Sequence, residues 1–357
     1  ISKKREKNII GWKDLAKMHV ILVPGSSTPV VLNGPEVALV GEAIRRQQLH
    51  TGANDTAEVE LSAILEQFHD VFSENVGTVK GYEHSIRLRR DVKPVVHKVR
   101  PIPFSVKEDL KVVLQNLCKE GIITAADSSQ WVAPIVVARK KSWEIHLCAD
   151  LRSLSKCILV DCHPIPKIQD LLANLGQAKF FSLIDLRSAY HQVPLDVKSQ
   201  ELTTFVTTFG AFKFLRMPFG LASAASVFQK LVDRLFGKLT GVQAYQDDIL
   251  VYAQNLMEHN RILVKVLQIL KNKGMTLCRS KCVFAKQELD YLGHTLTATG
   301  IKPKSSLIEA ISKATRPGDR DALRSFLGLA EYYARFVKDY AMSVEPLRRL
   351  LRKGEKF

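Results

Sequence analysis

The sequence has no long uncharged apolar run. No such run of about 18 residues occurs in the chain, whereas a helix that crosses a bilayer needs about 20. The N-terminal region also lacks the apolar core of a secretory signal peptide. We therefore expect a cytoplasmic protein with no transmembrane segment and no signal peptide.

Paired cysteines are also missing. The six cysteines never form the C-x-x-C pairs of a zinc site or a redox motif. They are Cys118, Cys148, Cys157, Cys162, Cys278 and Cys282. Their spacing argues against both kinds of site and favours reduced thiols in a cytosolic compartment.

Acidic residues are too few to balance the basic ones. The chain carries 52 Lys and Arg against 36 Asp and Glu, a formal charge of +16. Such a surface attracts polyanions, and nucleic acid is the first candidate partner. Charge alone leaves open the alternative of a basic protein whose lysines are merely solvated.

The first half of the chain divides into a linker and a globular part. Residues 23–58 mix Pro, Gly, Ser, Thr and Asn with few periodic apolar positions, which predicts a linker. Apolar residues at helical spacing run from Val106 to the stop signal Gly121, which predicts an amphipathic helix. Residues 133–138 and 145–148 flank a basic tract and predict a hairpin with a charged tip.

The second half alternates strands and helices. We predict a strand at 181–186, hairpins at 204–215 and 242–252, helices at 222–236 and 262–270, and a strand pair at 291–296. The section from Pro317 onward is predicted to be all helical. With 46% hydrophobic and 25% charged residues, the whole chain has the composition of a globular protein.

Three aspartates lie inside apolar strand patterns. Asp185 occurs in FSLIDLRSAYHQ, and Asp247 and Asp248 occur in AYQDDILVY. Burying a carboxylate costs several kcal/mol unless it is paired or binds a metal. Convergence of the three would therefore predict a cation, and Mg²⁺ takes carboxylates readily. The alternative is that the Asp-Asp pair merely forms a hairpin corner.

Four sequence words occur together in one order. FSLIDLRSAYHQ, FLRMPFGLASAASVFQ, AYQDDILVY and LDYLGHTL have the order and spacing of successive reverse transcriptase motifs. From about Phe72 to Lys338 the sequence resembles the polymerase of gypsy-type LTR retroelements, part of a Pol polyprotein. The absence of an initiator Met before Ile1 fits a piece of a polyprotein.

The resemblance implies an α+β right-hand polymerase with an antiparallel, ferredoxin-like palm sheet. Residues 59–300 would form fingers and palm, and residues 301–357 a helical thumb that ends before any connection or ribonuclease H domain. Residues 1–58 would be an N-terminal remnant and linker. NIIGWKDLAKMHV resembles the closing segment of a retroelement protease, but no D-[ST]-G word is present, so we expect no protease activity.

The resemblance also implies the site residues. Asp185, Asp247 and Asp248 would be catalytic and would bind two Mg²⁺ ions, with Mn²⁺ as the alternative. Substrate-binding roles are implied for Lys140, Lys141, His146 and Arg152 in the fingers, Tyr190 beneath the sugar, Phe219, Gly220 and Gln229 near the nascent base pair and template, and Leu292, Gly293 and His294 in the primer grip. Outside the motifs, each of these could be ordinary core or turn.

The implied function is RNA-directed DNA polymerase, a nucleotidyltransferase. Its partners would be an RNA or DNA template with a primer, and deoxynucleoside triphosphates, in the cytoplasm or in virus-like particles. Tyr190 would exclude a 2′-hydroxyl.

Three residues depart from the family pattern. His146 stands where the family carries Arg, Ala225 replaces Pro, and Gln246 replaces an apolar residue. These changes keep two alternatives open: a decayed or domesticated copy that binds nucleic acid with weak or no polymerase activity, and a structural or interaction protein.

Overall fold

The computed structural model describes residues 20–21, 30–31, 51–139, 145–352, 354, 355 and 357. Its helices are α1 (Thr51–Gln67), α2 (Lys107–Lys119), α3 (Arg152–Ser155), α4 (Ile168–Ala173), α5 (Val197–Leu202), α6 (Ala224–Phe236), α7 (Leu256–Lys273), α8 (Ser305–Ser312), α9 (Arg320–Glu331) and α10 (Tyr340–Arg349). Its strands are β1 (Val20–Ile21), β2 (Val30–Val31), β3 (Ile123–Ala125), β4 (Ala133–Arg139), β5 (Ile145–Ala149), β6 (Phe180–Asp185), β7 (Phe205–Thr207), β8 (Gly210–Phe214), β9 (Val242–Tyr245), β10 (Asp248–Ala253), β11 (Val283–Lys286), β12 (Glu288–Tyr291), β13 (His294–Thr297) and β14 (Gly300–Pro303).

Local sequence signals set several helix ends. Helix α7 begins after Asn255, whose side chain accepts a hydrogen bond from the N–H of Glu258 at 2.9 Å. It ends at Gly274, which has a φ of 68°. Helix α9 begins in the same way after Asp319. An Asx cap satisfies an unpaired N–H, and glycine adopts the left-handed conformation at little cost, so these helix boundaries are encoded locally.

A four-stranded antiparallel sheet positions the acidic residues. Its strand order is β11-β6-β10-β9, and helices α6 and α7 pack against it. Successive residues of β10 face opposite sides, so Ile249 belongs to the main core and Leu250 to a second core on the other face. The predicted strand at 181–186, the hairpin at 242–252 and the antiparallel sheet are confirmed.

A second, five-stranded sheet draws three strands from the chain before Asp185 and two from the chain after it. Its order is β3-β8-β7-β4-β5, with β4 antiparallel to β5 and parallel to β7. Helix α2 supplies Leu110 and Leu114 to the main core. The predicted hairpin of β4 and β5 is confirmed, whereas its charged tip, residues 140–144, lies outside the described residues.

The C-terminal part combines a small sheet with helices. Strands β12, β13 and β14 form a three-stranded antiparallel sheet. Tyr291 and Leu296 from this sheet share the second core with Phe181 of β6 and Phe336. Helices α9 and α10 have a core of their own, made by Leu323, Leu327 and Val344. The predicted all-helical ending is confirmed.

Two predicted boundaries need correction. The linker was expected to extend to residue 58, but α1 begins at Thr51. Its Ala57 is buried, and the carbonyl of Ala57 accepts a hydrogen bond from the Asn260 side chain at 2.9 Å, so packing on α7 makes this segment helical. The proposed boundary at residue 300 falls at the first residue of β14. Because β14 pairs with β13, this boundary would cut through the three-stranded sheet.

Among the described residues, no helix combines the length and apolarity needed to cross a membrane.

Candidate active site

The sheet brings the three aspartates together. Asp185 ends β6 and Asp248 begins β10, and the two are direct register partners in the antiparallel ladder. Asp247 precedes Asp248 in the two-residue turn that joins Tyr245 to Asp248. Side chains opposite each other across such a ladder have Cβ atoms about 4.5–5.5 Å apart, and like charges there repel. The turn therefore concentrates negative charge at one end of the sheet.

Burial and repulsion change the titration of this cluster. Burial, followed by the charges of Asp248 and Asp185, raises the pKa of Asp247 to about 6. Burial and the Asp185 charge also raise the pKa of Asp248. The Lys281 ammonium opposes both shifts, and its Nζ lies 3.5 Å from Oδ1 of Asp185. A cation at this position would relieve the remaining repulsion.

The oxygens of this cluster suit a metal ion. Oδ1 of Asp185 and Oδ1 of Asp247 are buried and have no hydrogen-bond partner. In the described ranges, no group of three His, Cys, Asp or Glu side chains forms a ready-made metal cage. Mg²⁺ needs no such cage, because it binds through one or two carboxylates and fills its other positions with water and phosphate oxygens. The residues present therefore fit the ion predicted from the sequence.

A cleft of about 380 Å³ opens beside the cluster. Asp185 and Asp247 line it together with Ala149 of β5, Phe219 and Lys281. Its volume lies within the usual range for a small-molecule site. The cleft places carboxylates, an ammonium group and an aromatic ring around one space, which suits a substrate that carries both phosphates and a planar group.

Aromatic packing fixes Tyr190 next to this cleft. Its ring centroid lies 5.1 Å from that of Phe219 and 5.5 Å from that of Phe228. Burial, with a smaller contribution from the Asp247 charge, raises the pKa of Tyr190 to about 12, so the phenol is neutral at physiological pH. Gly220, next to Phe219, has a φ of 83°, a conformation that glycine adopts without strain.

Gln229 is fully buried rather than exposed to a ligand. Its Oε1 accepts a hydrogen bond from the N–H of Gln246 at 2.9 Å, and its Nε2 donates to the carbonyl of Ala244 at 2.9 Å. The side chain thus holds the turn that carries Asp247. Its predicted place near the nascent base pair and the template stays a prediction.

Comparison with known proteins agrees with this geometry. Residues 137–296 match the family described as reverse transcriptase (RNA-dependent DNA polymerase). The Pol polyprotein of transposon gypsy from Drosophila melanogaster is 34% identical over 74% of this chain and 26% of its own length. That of transposon 412 from the same organism is 32% identical over 87% of this chain and 26% of its own length. The chain is a gypsy-type reverse transcriptase region.

A solved structure supports the fold. The foamy viral protease-reverse transcriptase in complex with dsDNA has a TM-score of 0.78 and 24% identity to this chain. The match covers 91% of this chain and 67% of that one. The predicted α+β right-hand polymerase fold is confirmed. The reverse transcriptase region spans 26% of the length of the gypsy and 412 polyproteins.

Arg152 is the described member of the predicted fingers set. Its side chain is 80% exposed, and its Nε and a terminal nitrogen donate to the two oxygens of Asp150 at 2.8 and 2.7 Å. These bonds, with a further one from Arg100, hold the pKa of Asp150 well below its usual range. Lys140 and Lys141 lie outside the described residues, and so does the side chain of His146.

The predicted primer-grip residues form the turn between β12 and β13. Leu292 and Gly293 have φ values of 45° and 78°. The carbonyl of Leu292 accepts the Tyr332 hydroxyl at 2.8 Å, and that of Gly293 accepts the Tyr333 hydroxyl at 2.9 Å. The turn is therefore hydrogen-bonded to the end of α9 and the residues that follow it.

His294 supports this turn from inside. It is 1% exposed, and burial, followed by the nearby Arg335 charge, lowers its pKa to about 4. The neutral ring donates from Nδ1 to the carbonyl of Leu292 at 2.8 Å and accepts at Nε2 from Arg335 at 2.5 Å. His294 therefore shapes the turn without reaching the surface.

Lys281 is the site residue that sequence reasoning missed. It follows α7 in a short helical turn, and its side chain reaches Asp185 across the end of the sheet. The usable signal was the word RSKC, a basic segment directly before the apolar strand β11. Its significance depends on the pairing of β11 with β6, which periodicity does not predict.

Proposed function

We propose that this reverse transcriptase region extends a primer on an RNA or DNA template by adding deoxynucleotides, using two Mg²⁺ ions or Mn²⁺ in their place. The observation that carries the proposal is the register pairing of Asp185 with Asp248 beside Asp247. Oδ1 of Asp247 and Oδ1 of Asp185 are buried without a hydrogen-bond partner, and the nearest cation to the latter is the Lys281 ammonium at 3.5 Å. Such oxygens are available to a cation.

Asp185, Asp247 and Asp248 would hold the ions at the mouth of the cleft. When bound, divalent ions activate the attacking hydroxyl and stabilise charge on the leaving phosphate. The protein prepares the position, since Asp247 has a pKa of about 6 and loses its proton readily at neutral pH. Lys281 adds a positive charge beside Asp185, where it can contact a triphosphate.

Tyr190 and Phe219 would form the floor under the incoming nucleotide. Their rings pack against each other at 5.1 Å, and a rigid aromatic surface selects by shape. We assign Tyr190 the exclusion of a 2′-hydroxyl, so that deoxynucleotides are the substrates. Tyr190→Ala should then raise the incorporation of ribonucleotides relative to deoxynucleotides.

Nucleic acid would lie across the positively charged surface. The formal charge of +16 favours a duplex, and the basic tip with Lys140 and Lys141, His146 and exposed Arg152 would face the triphosphate. The turn at Leu292 would contact the primer. We assign the two larger sheets to fingers and palm and the C-terminal helices to the thumb, and we place the activity in the cytoplasm or in virus-like particles.

Primer extension with Mg²⁺ or Mn²⁺ tests the proposal. Asp185→Asn should abolish extension while keeping the fold, because a neutral amide cannot replace a carboxylate that binds metal. Asp70→Asn is the matched control, since Asp70 pairs with Lys271 at 2.9 Å on the surface. Full activity of Asp185→Asn would refute the site. A wild type that binds duplex but never extends it would instead support the decayed copy.

A further inference from the structure

A hydrogen-bonded relay connects the surface of α6 to the catalytic turn. His163 Nε2 donates to Oδ2 of Asp233 at 2.6 Å. Oδ1 of Asp233 accepts from Nε2 of Gln229 at 2.9 Å, and Oε1 of Gln229 accepts from the N–H of Gln246 at 2.9 Å. Gln246 immediately precedes Asp247. His163, Asp233 and Gln229 are called the relay hereafter.

The relay fixes which way the Gln229 amide points. The NH₂ end of Gln229 faces two acceptors, the carbonyl of Ala244 and the carboxylate of Asp233. An ionised carboxylate can only accept hydrogen bonds. The oxygen end must therefore face the N–H of Gln246, and Asp233 and the Ala244 carbonyl together enforce the orientation that the turn requires.

The turn needs this restraint because its backbone is unfavourable. Gln246 has a φ of 52°, a left-handed conformation that residues other than glycine rarely adopt and that persists only where the surroundings impose it. A rotation at Gln246 would move the carboxylate of Asp247. A displacement of about 1 Å in a catalytic group can cost about 100-fold in rate.

The first two members of the relay stay away from the reacting groups. His163 and Asp233 line a separate cleft of about 320 Å³ that is bordered by Phe236 and Gln243. Neither residue belongs to the lining of the cleft beside Asp185. The hydrogen-bonded route from them to the catalytic turn runs through Gln229.

We propose that Asp233 and His163 are positioning residues for nucleotide addition, acting through Gln229 on the turn that carries Asp247. The proposal rests on the polymerase function proposed above. Asp233 orients the amide of Gln229, and His163 holds Asp233 in place. Loss of either contact allows the turn to leave its productive conformation.

Steady-state incorporation of one deoxynucleotide provides the first test. Asp233→Ala should lower kcat by about 10- to 100-fold and change KM for the nucleotide by less than about twofold, because the loss falls on the placement of reacting groups rather than on binding. His163→Ala should lower kcat by about 3- to 10-fold, as Asp233 keeps its bond to Gln229. Asp233→Asn keeps an acceptor oxygen of the same reach and should restore kcat to within about threefold of the wild type.

Asp161→Ala is the matched control. Asp161 accepts a hydrogen bond from Lys230, the neighbour of Gln229, at 2.7 Å. The side chains of Lys230 and Asp161 are 33% and 25% exposed. Those of His163 and Asp233 are 26% and 41% exposed, which is a similar range. The control removes a comparable contact on α6 that has no bond to the turn. Its kcat should stay within about twofold of the wild type.

Amide hydrogen exchange provides a readout that needs no activity. The peptide containing Gln246 should lose about tenfold in protection in Asp233→Ala and keep its protection in Asp161→Ala. If the wild type fails to extend primers, the proposed function fails, and exchange still decides the relay. If Asp233→Ala does not fold, Asp233→Asn and His163→Ala decide it.

Two results would overturn the relay. One is a loss of kcat that is equal in Asp233→Ala and Asp161→Ala, because general destabilisation of α6 would then explain it. The other is unchanged exchange at Gln246 in Asp233→Ala, whatever happens to kcat.

Discussion

Replacing Asp247 by Asn should stabilise the metal-free protein at neutral pH. The pKa of Asp247 is about 6, against an ordinary value of 3.8. The folded state therefore binds this proton more tightly than the unfolded state does. As the pH rises from about 4 to 6, ionisation of Asp247 progressively lowers the free energy of unfolding, and above about pH 6 the whole of this loss is present. The difference corresponds to about 2 to 3 kcal/mol.

Thermal unfolding in EDTA measures this effect. At pH 7.5, Asp247→Asn should unfold roughly 5 °C above the wild type, and at pH 4.5 the gap should shrink to about a third, because most of the wild-type carboxyl groups are then protonated in the folded state. Asp70→Asn serves as the control, since the hydrogen bond from Lys271 lowers the pKa of Asp70 and its loss should raise the unfolding temperature at neither pH.

A gap that is equal at both pH values would refute the raised pKa of Asp247, which we attribute first to burial and then to repulsion by Asp248 and Asp185. A lower unfolding temperature for Asp247→Asn at pH 7.5 would do so as well. Added Mg²⁺ should reverse the order, because only the wild type keeps all three carboxylates for the ion.

Two further predictions concern substrate contacts. His146→Arg should raise kcat/KM for one deoxynucleotide by up to about 100-fold at pH 8, because Arg keeps its charge where histidine is mostly neutral. The difference in kcat/KM between the variant and the wild type should narrow toward pH 6. If the variant and the wild type behave alike from pH 6 to 8, His146 does not face the triphosphate. Duplex affinity, measured by fluorescence anisotropy, should fall steeply between about 50 and 200 mM salt, since each neutralised phosphate releases counterions; a flat dependence would contradict an electrostatic duplex site on a chain of charge +16.

The acidic end of the main sheet could be predicted because its signals are local. Carboxylates inside apolar strand patterns are rare, so Asp185, Asp247 and Asp248 stood out in the sequence, and the strand pattern at 242–252 predicted the hairpin that carries Asp247 and Asp248. The structure adds the register that makes Asp185 and Asp248 direct partners.

Other features depend on contacts between distant segments and could not be predicted. Gln229 and Asp233 are four residues apart and lie on one helix face, but their bonds to the turn and to His163 join residues 17 and 70 positions apart. The start of helix α1, residues 51–58, was predicted to be linker because its packing partner, α7, lies some 200 residues later in the sequence. Periodicity carries no information on such pairings.

The two carbonyls of the β12–β13 turn have a mechanical consequence. Both are bonded to consecutive tyrosine hydroxyls, Tyr332 and Tyr333, and a Cβ at Gly293 would lie 3.0 Å from the Tyr332 hydroxyl. The β12–β13 turn and the end of α9 are thus coupled, so a movement of one is expected to displace the other. A duplex that pushed α9 outward would also withdraw Leu292, so the spacing between the C-terminal helices and the acidic cluster would set where a primer end can rest.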